Sequence, residues 1–342
     1  MDHERDHDLD PELHEAVGRL PQSVDPPEDL WPGIRDRIRS GGARRRGGRR
    51  AVLVRWLPLA AAAVLVAAVA WWFGTRETSA AWEVQRVAGV PRVGDAPLGT
   101  MGTIRVGQWL ETDDSSRAVI AVGAIGHVEV RPGTRVRLLR AHPTDHRLAL
   151  KYGSIYAQVD APPRLFFVET PAGTAVDLGC AYTLDVDSLG TGVLRVTAGY
   201  VEFSWSGRRS IVPLGAAAQI RPEGPGIPTV EDAPEALRRA LLEFDFAGGV
   251  APAARAALAA ARAEDALSLW HLLQRVEPPL RPAVYDRLAS LVPPPPGVAR
   301  DAALQLDGGT LERYWERIRR IAWRREILRG VREIDPRTGL GK

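Results

Sequence analysis

VETPAGTAVDLGCAYTLDVD, running from Val168 to Asp187, holds the one cysteine of the chain and decides how the middle third folds. After the Thr170-Pro171-Ala172-Gly173 turn, Val176, Leu178, Cys180, Tyr182, Leu184 and Val186 recur at every second position. That period is the mark of a half-buried strand. Asp177, Gly179, Ala181, Thr183 and Asp185 fall on the opposite face, so both aspartates are expected to point away from the thiol. A thiol inside an apolar stripe behaves as a small hydrophobe, and apolar burial raises its pKa against nucleophilic use. Cys180 is therefore read as a packing residue.

Outward from this stretch the same period persists. RAVIAV, HVEVR, TRVRLL, RLALKYGSIYAQV, LFFVET, VLRVTAGYVEFSW and SIVPL alternate between apolar and polar residues and are separated by Gly, Pro, Asp and Ser. Many short strands at near-regular spacing predict an all-β region over 82–222, either a sandwich or a flattened β-helical stack. GSIYAQV (Gly153–Val159) and GYVEFSW (Gly199–Trp205) resemble one unit used twice.

Beyond RPEGPGIPTVEDAPE the period becomes helical, which predicts a helical domain over 234–342. Leu269, Leu272, Leu273 and Val276 share one face, as do Val284, Leu288 and Leu291. EPPLRP and VPPPPG punctuate the helices. A last, longer helix is expected to be capped by Thr310, with Leu311, Tyr314, Trp315, Ile318 and Ile321 as its apolar stripe. Its arginine-rich opposite face is a solvated face or a contact with an anionic membrane surface.

The N-terminal quarter is different. Trp56 to Gly74 carries no charge, and as a helix would span roughly 28 Å, close to the hydrocarbon core of a bilayer. Trp56, Trp71 and Trp72 sit at its ends, where indoles favour headgroups. One membrane helix is predicted over 53–75. Arginines crowd its upstream side, and Arg76 next to Glu77 follows it. The positive-inside rule places the tail 1–52 in the cytosol and the rest of the chain outside the membrane. The long charged segment ahead of the apolar run favours an uncleaved anchor over a signal peptide. Within the mostly polar tail, Leu30, Trp31, Ile34 and Ile38 recur at helical spacing. They are expected to form a short amphipathic helix that either docks on a partner or lies on the lipid surface.

Chemistry-bearing motifs are scarce. The chain has no G-x-S-x-G elbow, P-loop, H-E-x-x-H or paired C-x-x-C. His3, His7 and His14 lack a nearby cysteine, and HPTDH (His142–His146) sits in a proline-containing polar loop. His271 lies among core leucines. No catalytic residue, metal site or cofactor is expected. A single cysteine forms no internal disulfide, so packing alone stabilises the outer part.

Val168–Asp187, followed by GVLRVTAGYVEF, resembles the FecR-domain family of bacterial transmembrane regulators. Thr170, Pro171 and Gly173 match the family's turn, Gly179 its strand glycine, and Val196, Gly199 and Val201 its closing unit. VGQWLETDDSSRAVI and HVEVRPGTRVRLL fit its upstream strands, and DLWPGIRDRI is similar to the juxtamembrane segment of many anti-sigma factors. The resemblance implies a multidomain α+β protein of the bacterial inner membrane with a single pass, its N-terminus cytosolic and its β and helical domains periplasmic. It further implies an anti-sigma-factor-like relay. An envelope protein or ligand is sensed outside, and a cytosolic sigma factor is bound inside through Leu30, Trp31, Ile34 and Ile38, without direct contact to nucleic acid. The competing class is an envelope scaffold or interaction protein with no transcriptional role. Cys180 departs from the family, which usually has threonine there.

Overall fold

A computed structural model describes residues 81–248 and 250–333, with side chains as far as Ile321. The tail, the span expected over 53–75, and Leu30, Trp31, Ile34 and Ile38 lie outside the described residues. Among those described, no helix is long and apolar enough to cross a membrane.

The chain first runs through β1 (Ala81–Ala88), β2 (Arg92–Val93), β3 (Ala96–Pro97), β4 (Met101–Arg105), β5 (Trp109–Glu111) and β6 (Arg117–Ala121). Next come β7 (Gly126–Val130), β8 (Arg135–His142), β9 (Asp145–Val159), β10 (Phe166–Thr170), β11 (Gly173–Asp177) and β12 (Cys180–Val186). The last strands are β13 (Gly192–Ala198), β14 (Tyr200–Trp205), β15 (Arg208–Pro213), β16 (Ala216–Arg221), β17 (Gly224–Pro225) and β18 (Thr229–Val230). The seven alternating runs of the sequence all fall on strands.

These strands pair into two sheets. One runs β4, β1, β6, β7, β9, β12, β13, β16, with β17 and β18 on its last edge. The other runs β3, β2, β5, β8, β9, β10, β11, β14, β15, antiparallel except where β10 lies parallel to β9. Strand β9 belongs to both, its first half to the second sheet and its second half to the first. Apolar side chains from both sheets form one continuous buried core, with Ile104, Ile120, Ile155, Tyr182 and Leu184 from one and Leu138, Leu150, Phe166 and Phe203 from the other.

The chain passes between the sheets with a one-residue slip in its alternation. Along β9 the buried positions are His146, Leu148 and Leu150, then Ile155, Ala157 and Val159, so the parity changes at the crossing. Gly153 makes that turn at φ +103°, and a Cβ there would lie 2.4 Å from the Thr134 backbone. Gly199 does the same between β13 and β14, where Leu194 and Val196 face the core before it and Val201 and Phe203 after it. Its φ is +65°, and a Cβ would lie 2.0 Å from the Gly179 carbonyl oxygen. Only glycine tolerates both the conformation and the approach. The repeat of GSIYAQV and GYVEFSW is thus two strands that leave such crossings, one in each sheet.

Among the described residues, six α-helices follow: α1 (Glu235–Phe246), α2 (Ala251–Ala260), α3 (Ala266–Arg275), α4 (Arg281–Leu291), α5 (Arg300–Leu304) and α6 (Gly308–Glu333). Leu269, Leu272, Leu273, Val276, Val284 and Leu288 are buried as their spacing predicts, and Leu291 at the end of α4 is half-buried. In α6 the stripe is buried through Ile318, and Ile321 is 39% exposed. The expected cap is corrected. Helix α6 starts at Gly308, and Asp307 rather than Thr310 sits ahead of it, its Oδ2 accepting the Thr310 N–H at 2.8 Å. Thr310 occupies the third helical position, where the free N–H needs an acceptor from the preceding residues.

The helices pack onto the last strands of both sheets, and sheets and helices belong to one compact unit. Asp245 of α1 accepts the Ile227 N–H at 2.5 Å, and Ser268 of α3 donates to the Pro228 carbonyl at 2.7 Å. Trp315 of α6 meets Tyr200 of β14 edge-on at 6.3 Å.

Candidate functional site

The residues singled out by the FecR resemblance lie at the two ends of β11, with Thr170, Pro171 and Gly173 in the turn that enters it and Gly179, Val196, Gly199 and Val201 around its crossing to β12. Thr170 builds the entry turn, its Oγ1 donating to the Gly173 carbonyl at 2.9 Å and accepting the Ala172 N–H at 3.2 Å. Pro171 follows Thr170 in that turn, and the Gly173 backbone lies so close to β14 that a Cβ would sit 2.6 Å from the Ser204 carbonyl oxygen. Val196 pairs with Tyr182 and Val201 with Asp177, while Gly199 closes against Gly179. At the crossing the motif brings β11, β12, β13 and β14 together, and its glycines serve close backbone approach.

At its centre lies a buried polar group that period-two reading did not anticipate. The expectation that Asp177 points away from Cys180 is corrected. Strand β11 ends at Asp177, the chain crosses between sheets at Gly179 with φ +85°, and β12 begins at Cys180. The crossing shifts the alternation, so Ala175 and Asp177 face the core before it and Cys180, Tyr182 and Leu184 after it. The Cys180 thiol donates to Asp177 Oδ2 at 2.6 Å, and Asp177 Oδ1 accepts the Gly179 N–H at 2.7 Å.

Burial dominates the electrostatics here. It pushes the Asp177 carboxyl up to about 6, with hydrogen bonds from Cys180 and Gly179 acting in the opposite direction. Burial, the adjacent Asp177 charge and the hydrogen bond to it raise the Cys180 thiol far above its ordinary range. A thiol whose proton is held by a carboxylate in a dry core is the reverse of an activated nucleophile. The Tyr182 hydroxyl is fully buried without a hydrogen-bond partner among the described residues. An orphaned buried hydroxyl costs stability. Tyr182→Phe is therefore expected to raise stability by about 1 kcal/mol in urea unfolding. A loss of similar size would show that the hydroxyl is satisfied.

The other histidines take structural parts. His271 of α3 is buried, its Nε2 accepting the Ile211 N–H at 3.0 Å and its Nδ1 donating to the Leu267 carbonyl at 3.0 Å. Burial and the neighbouring Arg275 charge lower its pKa to about 3, so it stays neutral and pins α3 to β15. The loop expected for HPTDH is corrected to a tight hairpin turn at 143–144: His142 ends β8 and bonds Thr144, Asp145 opens β9 and pairs with Arg140 and Arg147, and His146 is buried against Trp82 at 5.6 Å. No cluster of metal-ligating side chains occurs among the described residues.

Between the β14–β15 hairpin and α3 lies a cleft of about 650 Å³. Trp205, Arg208 and Arg209 line it from the hairpin, and Trp270, Gln274 and Arg275 from the helix. Sequence reading missed it, because its two walls are some 65 residues apart in the chain.

No known protein-family profile matches the chain, and no curated protein matches it. Two crystal structures of a candidate anti-sigma factor from Parabacteroides distasonis are similar to it at a TM-score of 0.32 and 15% identity. The similarity covers 40% of this chain and 64% of that chain.

Proposed function

We propose that the chain is a membrane-anchored, anti-sigma-factor-like signal transducer of the bacterial inner membrane. The tail 1–52 faces the cytosol and engages a sigma factor through Leu30, Trp31, Ile34 and Ile38. The unit after residue 75 lies on the outer side and receives an envelope signal. It acts by binding, without catalysis.

The observation that carries this reading is the order of segments: an arginine-rich tail, an uncharged run from Trp56 to Gly74, then the FecR-like motif from Thr170 to Val201. The proton held between Cys180 and Asp177 supports binding over catalysis, since it disables the single thiol. A pull-down with residues 1–55 is expected to recover a sigma factor, and alanine at Trp31 and Ile34 to abolish the capture. Recovery of no sigma factor counts against the relay. Tail deletion that leaves sigma-dependent transcription unchanged would favour an envelope scaffold.

A further inference from the structure

The cleft between the β14–β15 hairpin and α3 is built for a negative charge. None of the side chains that line it is acidic, and three of them are arginines. Around it, Arg164, Arg208, Arg209 and Arg275 share two carboxylates. Glu202 is 3.0 Å from Arg164 and 3.7 Å from Arg209, and Asp245 is 2.6 Å from Arg275. Two positive charges are left over. Arg275 is fully committed, since it also donates to Ser210 Oγ and to the Arg209 and Pro225 carbonyls. Arg208 has no carboxylate partner among the described residues and makes one long bond, 3.3 Å, to the Asp245 carbonyl. Arg209 is 53% exposed, with Glu202 as its distant partner.

The rest of the lining suits a ring. Trp205 is 43% exposed, so part of its indole is open to a ligand in the cleft. The Ser204 and Ser206 hydroxyls, which also line the cleft, have no hydrogen-bond partner among the described residues. The volume falls in the range of small-molecule sites, which combine apolar walls with a few convergent polar groups.

We propose that this cleft binds a small ligand that joins an oxyanion, carboxylate or phosphate, to a flat ring. The Arg208 and Arg209 forks take the oxyanion, a geometry guanidinium offers to both anions. The Trp205 indole covers the ring, and the two serine hydroxyls bond its polar edge. The low pKa of His271, partly caused by Arg275 and Arg209, reports the same positive field. The site stands whether or not the tail binds a sigma factor.

The test is a ¹⁹F NMR titration of the full chain in detergent micelles with 4-fluorophenyl phosphate and 4-fluorobenzoate, with 4-fluorobenzyl alcohol as the neutral control. At least one anion is expected to bind saturably and the alcohol not at all, and the tighter anion identifies the oxyanion. Arg208→Ala or Arg209→Ala should weaken binding about tenfold, and Trp205→Ala about fivefold. Trp205 and Arg209 are exposed and Arg208 is half-buried, so urea midpoints close to the parent's will show that the variants are folded. Absence of saturable binding by either anion at millimolar concentration would overturn the proposal. So would equal binding of the alcohol, or full affinity in the folded variants.

Discussion

Arg275→Met is expected to lower the stability of the folded unit by about 3–5 kcal/mol, because it leaves the Asp245 carboxylate buried without its cation. The Asp245 side chain is 1% exposed, and Arg275 is its one ion-pair partner among the described residues. Methionine fills similar space but supplies no charge and none of the donors that hold β15 to α3 through Ser210 and the Arg209 carbonyl. The remaining Ile227 N–H bond does not neutralise the carboxylate. Adding Asp245→Asn removes the stranded charge while keeping an acceptor for Ile227, so the double variant should recover about half of the loss. Urea unfolding followed by tryptophan fluorescence measures both. A single variant within about 1 kcal/mol of the parent would mean that water reaches Asp245 and the seam is looser than its geometry.

Asp177→Asn should act in the opposite direction. The Asp177 carboxyl titrates near 6 in the fold against 3.8 ordinarily, so ionisation opposes folding. Its contribution is fully favourable below about 3.8, is lost as pH rises through 6, and above that leaves a constant deficit of about 3 kcal/mol. Asparagine keeps an acceptor for the Gly179 N–H and turns its amide N–H2 towards the Cys180 sulfur, which becomes the acceptor, without carrying charge. The variant is expected to be about 2–3 kcal/mol more stable at neutral pH and equal to the parent in acid. His271 has the opposite sign. Its pKa is depressed, so its contribution is present above 6.5 and lost as pH falls towards 3. The parent should therefore show a shallow profile between those values, and Asp177→Asn a steep acid loss. Matching pH profiles for the two proteins would place the Asp177 charge in contact with water.

These two groups also mark how far the sequence was legible. The strands were visible because each buries one face of an alternating run, and the helix spacing of Leu269, Leu272 and Leu273 held for the same reason. Parity across a sheet crossing was not visible. Alternation read straight through Gly179 puts Asp177 outside, whereas the left-handed turn there slips the pattern by one residue and puts it inside. The signal was present in the glycine itself, since a glycine in the interior of a strand-like run marks a bend or close approach. Thr310 attracted the cap because it is a good capping type, yet Asp307 stood three residues earlier with the same chemistry. The arginine cleft left no trace in sequence, because it forms between a hairpin and a helix that only tertiary packing brings together.

Strand β9 has a consequence for how the molecule comes apart. Fifteen residues long, it carries rungs of both hydrogen-bonded ladders and lies between neighbours on each side in both sheets. Neither layer can open without exposing the backbone of the strand that the other layer needs. The sandwich should consequently melt in one cooperative step, with the slowest-exchanging amides spread across both halves of β9 rather than confined to either layer.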